Sequence, residues 1–166
     1  MAMARQLRSS NLCCAALAIG LALTFIGAQA QTPRNDKAAV LAANDQFYAA
    51  LNAMFKGDAG PIEAVWSHAD DITYMGPAGG FDSGWSAIRK DWESQTALKL
   101  GGHIQPTEVH VFVGQDIAVV SDYEEGENTN VNGKTVQVKL RATNIYRKEN
   151  GQWKMIGHHT DLLPYL

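Results

Sequence analysis

The chain has 166 residues, with 14 basic and 17 acidic side chains and two cysteines, Cys13 and Cys14. Mild acidity argues against a nucleic-acid surface, which needs a basic field. Both cysteines fall in a segment expected to be removed, so the remainder has no disulfides and no thiolate ligands and must hold itself together with one apolar core.

Residues 1–30 read as a secretory signal. Arg5 and Arg8 form a basic start, Leu12 to Gly27 is an uncharged apolar run, and Ala28-Gln29-Ala30 offers the small residues that signal peptidase requires. The run is short for a membrane span, with a retained anchor as the alternative. The expectation is cleavage before Gln31, a periplasmic or secreted product without membrane attachment, and a single domain over residues 31–166.

From Asp36 to Lys56 the apolar residues Val40, Leu41, Phe47, Tyr48, Leu51, Met54 and Phe55 recur every three or four positions, the stripe of an amphipathic helix. Asn35 or Asp36 is placed to cap its start and Gly57 its end. A short helix follows from Pro61 through Ile62, Val65 and Trp66. "DITYMGPAGGF" opens as a strand and breaks into turns, and a third helix is predicted from about Ser86 to Leu100, stopped by Gly101-Gly102. Four β-rich runs come next: "HIQPTEVHVFVG", "DIAVVSDYEEGEN", "KTVQVKLRATNIYRKE" and "QWKMIGHHTDLL", separated by hairpin turn signals. Helices first and a meander afterwards predict an α+β layer, three helices packed on one face of an antiparallel sheet.

That order of elements, with "ADDITYMGP" after the short helix and "RATNIYRKENGQWK" near the end, resembles the nuclear-transport-factor-2-like superfamily in its SnoaL-like and ketosteroid-isomerase-like branch. The resemblance covers residues 31–166 and implies a curved sheet, a half-barrel wrapped into a cone around an apolar cavity, with dimers common. It also implies where an isomerase would carry its chemistry. The base would precede Pro77, where Gly76 stands; the oxyanion tyrosine would fall at Ala50, and its acid near Thr143. None of these has the needed group, which leaves Tyr48 and Tyr74 either as substitute donors or as core residues.

The remaining candidates come from the residues themselves. Alternation along "GHHTD" sends His158 and His159 to opposite faces, and His158 is taken as the inward one unless a bulge reverses the parity. Arg141 in mid-strand is either a cavity anchor for an anionic group or an outer-face residue paired with Glu124, Glu125 or a neighbouring subunit. Trp66 and Trp92 either line the cavity or fill the core. His103 and His110 fall in the first long strand, with His103 read as solvated and the cavity mouth as its alternative, the corner His68-Asp70-Asp71 as a turn rather than a metal cluster, and "DYEEGEN" as a solvated strand end with a hairpin loop, with calcium as a second reading. Leu162, Leu163 and Tyr165 should pack on the first helix or on a partner.

The resulting expectation is an exported small-molecule-binding protein, a homodimer with no cofactor and no bound metal. Its ligand would be small and apolar or aromatic, contacted by Tyr48, Trp66, Tyr74, Trp92, Arg141 and His158. One alternative is an isomerase, cyclase or hydratase using His158 with Arg141 or Tyr74. The other is a structural assembly domain.

Overall fold

Helix α1 spans Pro33–Met54, α2 Gly60–Val65 and α3 Trp85–Leu98, and the strands are β1 Thr73–Met75, β2 Asp82–Ser83, β3 His103–Val113, β4 Ile117–Thr129, β5 Thr135–Glu149 and β6 Gln152–Leu162. The computed structural model describes residues 33–129 and 132–162. The leader expected over 1–30 lies outside the described residues, as do Leu163 and Tyr165 of the tail. No helix among the described residues is long and apolar enough to cross a membrane.

The predicted stripe of α1 is buried: Val40, Phe47, Tyr48, Leu51 and Met54 all face the sheet. Gly57 ends the helix at φ 98°, its N–H bonded to the Met54 carbonyl at 2.8 Å, a backbone conformation that glycine alone enters without strain. The N-terminal cap is different from the expected one. Asp36 lies inside the first turn, where it accepts from Lys148 Nζ at 2.6 Å and ties α1 to β5. Two asparagines on the same stripe are buried as well. Asn52 exchanges two hydrogen bonds with the backbone of Ile104, at 2.7 and 2.8 Å, pinning the end of α1 to the start of β3.

Among the described residues the sheet has six strands in the order β2-β1-β6-β5-β4-β3, open at both edges. The four long strands form the expected antiparallel meander, but the sheet is mixed, because β1 lies parallel to β6 and sets Tyr74 beside His158. Such a pairing joins segments more than eighty residues apart, and no local turn signal announces it. Side chains alternate across each strand. On β4, Ala118, Val120, Asp122 and Glu124 point inward; on β5, Leu140, Ala142, Asn144 and Tyr146 do so.

A bulge decides the facing on β6. Tyr146 pairs with Met155 and Ile145 with Gly157, so one residue of β6, Ile156, is extra. Met155 and His158 therefore share the inner face although an odd number of positions separates them. At one end of that face, helices and sheet close on a solid core of Phe47, Trp66, Ile72, Ile88, Tyr146 and Met155. At the other end they part.

Candidate functional site

Where the layers part they leave a hollow of about 360 Å³. Its walls are mostly apolar: Leu51 and Phe55 from α1, Trp92 from α3, Ile104 from β3, Leu140 from β5 and Leu162 from β6. Polar residues interrupt them: Tyr74, Gln95, Glu124 and His158, and also Asn128, Gln137 and Lys139. Apolar walls with a few convergent polar groups are the usual form of a small-molecule site.

The inner end rests on a buried hydrogen-bonded network. The Tyr48 hydroxyl donates to Asp122 Oδ1 at 2.7 Å. Asn144 Nδ2 donates to Asn44 Oδ1 at 2.9 Å, and Tyr146 donates to that same oxygen at 2.8 Å. His158 Nδ1 lies 2.6 Å from Asn144 Oδ1, and its Nε2 is 3.8 Å from Glu124 Oε1. Every member is nearly inaccessible, with Asn144 at 0%, Glu124 and His158 at 4% and Asp122 at 6% exposure. Glu124 Oε1 has no hydrogen-bond partner. Asp122 Oδ2 and Thr160 Oγ1 are likewise buried without a partner, and a buried polar atom left unpaired costs about 1–3 kcal/mol.

Burial sets the charges. It pushes Glu124 up from 4.5 to about 8, with the neighbouring Asp122 adding to the rise. Asp122 moves less, to about 6, because the Tyr48 hydroxyl favours its anion. His158 is driven the other way, to about 3, by burial and then by His159. At neutral pH the pair is therefore an uncharged acid beside an uncharged base, and the 3.8 Å approach is not an ion pair. Tyr74 is also held neutral by burial, with its pKa raised. Its hydroxyl accepts from Gln95 Nε2 at 2.9 Å and its ring stacks on His158 at 11° and 5.7 Å. A side chain at Gly76 would collide with that hydroxyl, so Tyr74 occupies the space where the expected isomerase base would stand.

His158, Tyr74 and Trp92 line the hollow. Tyr48 stands behind it, holding Asp122, and Trp66 is 1% exposed within the core, 6.2 Å from Trp92, so neither is among its lining residues. Arg141 is corrected as a cavity anchor: it points to the outer face, over half exposed, and forms a two-pronged ion pair with Asp161, the in-register residue of β6. Leu162 is 62% exposed at the mouth of the hollow, whose lining it shares with Leu51 and Phe55. His103 and His110 are exposed. At the 68–71 corner, His68 stacks on Trp85 at 4.2 Å while Asp71 pairs with Arg147, so the two turn to separate partners.

The largest correction concerns "DYEEGEN". These residues lie within β4 rather than in a loop, and Asp122 and Glu124 face inward. The alternation of "AVVSDYEE" contained the signal, since Ala118 and Val120 share a parity with Asp122 and Glu124, but the density of charge suggested solvent instead.

A family model described as a SnoaL-like domain matches residues 40–163. Among solved structures, a Streptomyces avermitilis protein of the NTF2-like family with a provisional dehydratase name is 25% identical, with a TM-score of 0.71 over 80% of this chain and 99% of its own. A Thiobacillus denitrificans protein, provisionally named a calcium/calmodulin-dependent protein kinase type II association domain, is 27% identical, with a TM-score of 0.64 over 74% of this chain and 94% of its own. A Novosphingobium aromaticivorans protein provisionally named an aromatic ring hydroxylase shares the fold at 19% identity and a TM-score of 0.66, over 80% and 92%. No curated protein matches the chain. With an open α+β sheet of the expected cone type and a match over nearly all the described residues, the chain belongs to the SnoaL-like family of the NTF2-like superfamily.

Proposed function

We propose that the domain is an acid–base enzyme, a lyase or isomerase, acting on a small and largely apolar molecule that carries an oxygen function. The observation behind this is Glu124, a carboxyl with an open oxygen at the inner end of an apolar hollow, 3.8 Å from His158 Nε2. A carboxyl kept protonated near neutrality is a proton donor. In a dehydration, the C–H electron pair forms the new double bond and His158 Nε2 keeps the proton. The C–O bond breaks, and the Glu124 proton leaves with the oxygen as water. The result is a carboxylate next to an imidazolium, so the hollow stays neutral overall. The low basicity of His158 in the empty site is no obstacle, because an anion forming at Glu124 raises it as the reaction proceeds. Isomerisation uses the same pair, with the proton returned to a different carbon. Neither reaction needs a cofactor. The provisional dehydratase name of the Streptomyces relative belongs to the same class.

The purified protein in D2O, given a panel of small aromatic ketones and β-hydroxy ketones, tests the reading by mass spectrometry. Loss of water or deuterium uptake at carbon is expected for at least one compound, and should fall about 10²–10⁴-fold in Glu124→Gln. Silence across the panel, or turnover undiminished in that variant, overturns it.

A homodimer and export belong to the same proposal. Phe112, Val119 and Ile145 form an in-register row across the outer face, and Phe112 is 70% exposed, which suits a second copy of the chain. The association-domain name of the Thiobacillus relative favours assembly as a second role for that face. Export rests on residues 1–30.

A further inference from the structure

The hydrogen-bonded network behind the hollow can be followed atom by atom, because a carboxylate has no hydrogen to give. Asp122 Oδ1 takes the only hydrogen of the Tyr48 hydroxyl. The Tyr48 oxygen then acts as an acceptor, and the group facing it, at 3.4 Å, is Asn144 Nδ2. The second hydrogen of that nitrogen goes to Asn44 Oδ1, which is held in place by Tyr146. With its nitrogen fully committed on one side, Asn144 turns its carbonyl oxygen to His158 Nδ1 at 2.6 Å. An amide oxygen only accepts, so Nδ1 must carry the hydrogen. A neutral imidazole has one N–H, which leaves Nε2 as a bare lone pair beside Glu124.

This rests on the acid–base reading above for the neutral Glu124–His158 pair, and it describes a resting complex, since a hydroxyl on the Nε2 lone pair must leave it before a C–H proton is taken there. The inner end then presents one acceptor, His158 Nε2, and one donor, the Glu124 carboxyl, side by side and nine-tenths buried. We propose that the site binds a neutral hydroxyl on an apolar body, an alcohol, enol or phenol, donating to His158 Nε2 and accepting from Glu124, and that Asn144 is the positioning residue that fixes this polarity. A ketone satisfies only the donor. A carboxylate or phosphate meets the histidine lone pair and is repelled, and an ether lacks the hydrogen.

Two measurements test it. In the purified protein labelled with 15N at histidine, the His158 resonances, identified by their loss in His158→Gln, should show the hydrogen on Nδ1 and a lone pair on Nε2. A hydrogen on Nε2 overturns the proposal. Fluorescence titration with 2-naphthol and with 2-methoxynaphthalene should give about tenfold tighter binding of the naphthol, from the hydroxyl hydrogen bond and the acceptor otherwise left open. Naphthalene serves as the size control, and equal affinities for naphthol and ether overturn the proposal. In Asn144→Asp the new carboxylate cannot donate to Asn44 or Tyr48; it accepts the Nδ1 hydrogen, and its charge favours a second hydrogen on Nε2. His158 should become an imidazolium at neutral pH and the naphthol preference should vanish; an unchanged tautomer and ratio in a folded variant count against Asn144. Should that variant not fold, the wild-type resonances decide alone. The Nδ1–H form without turnover of any panel compound sinks the catalytic reading and leaves the hydroxyl site standing; turnover with the Nε2–H form sinks the hydroxyl site and the base role of Nε2, and leaves Glu124 as the acid.

Discussion

Glu124 and Glu125 are consecutive residues of one strand, and they have opposite chemistry. Glu124 faces the hollow, loses its water and is pushed up to about 8. Glu125 faces outward, pairs with Lys139 Nζ at 2.7 Å and is held below its ordinary value by that partner. The same contrast separates Asp122, raised to about 6, from Asp161, lowered by Arg141 on the outer face. Residue type is constant within each pair and only the face differs. A carboxyl becomes a proton donor when the sheet turns it away from water without supplying a cation, and an ion-pair partner when a cation stands in register across the strand.

The inner face should yield the largest effects. Glu124→Gln keeps the shape and removes the exchangeable proton, so turnover should drop by about 10²–10⁴-fold with the affinity for 2-naphthol little changed. Glu125→Gln, one residue away, should leave turnover as it was. Equal losses in the two variants would erase the distinction between the faces.

The second effect is on stability. Because the folded protein binds the Glu124 proton more tightly than the unfolded chain does, this group's contribution is complete below about pH 4.5 and is lost as pH climbs towards 8. Asp122 adds a smaller loss between about 4 and 6. His158, depressed to about 3, runs the other way: its contribution is intact above 6.5 and disappears as pH falls. Glu124→Gln should therefore flatten the alkaline side of the profile, with a gain over wild type on the order of 4 kcal/mol between pH 4.5 and 9. Urea unfolding at the two pH values measures this, and parallel profiles would mean that water reaches the carboxyl.

Much of the contrast was legible in the chain beforehand, and the parts that were not have specific causes. The helices and long strands follow from periodicity and glycine stops, which are local signals. The parallel pairing of Thr73–Met75 with β6 depends on contact between distant segments. Alternation separates His158 from His159 without deciding which is inward; the extra residue Ile156 sets that facing, and a bulge leaves no mark in an apolar–polar pattern. Asn44 and Asn144 carry no signal in the sequence, because a buried amide differs from an exposed one only by partners that the fold supplies. Asp122 and Glu124 were hidden by their neighbours: with Glu125 and Glu127 alongside, the stretch looked like a solvated face, whereas alternate residues divide between water and core.

The outer face should respond through assembly rather than chemistry. Phe112→Glu puts a charge into the exposed row with Val119 and Ile145 and should convert a dimer to a monomer, seen by analytical ultracentrifugation, while 2-naphthol still binds. A wild-type protein that is monomeric at high concentration would remove the proposed second copy from this face.

The smallest change is expected at Arg141, where the residue type alone pointed to function. Its guanidinium pairs with Asp161 on the outer face, with both side chains substantially open to water. Exposed pairs gain little, since solvent screens their attraction and two long side chains lose freedom in holding one geometry. Arg141→Ala should therefore leave turnover, naphthol affinity and the melting temperature unchanged within error, and Asp161 should titrate closer to an ordinary aspartate, because Arg141 is the main cause of its lowered pKa. Loss of naphthol binding in Arg141→Ala would mean that the guanidinium reaches the ligand after all, and would break the rule drawn from Glu124 and Glu125 that the face of the sheet decides the role of a charged group.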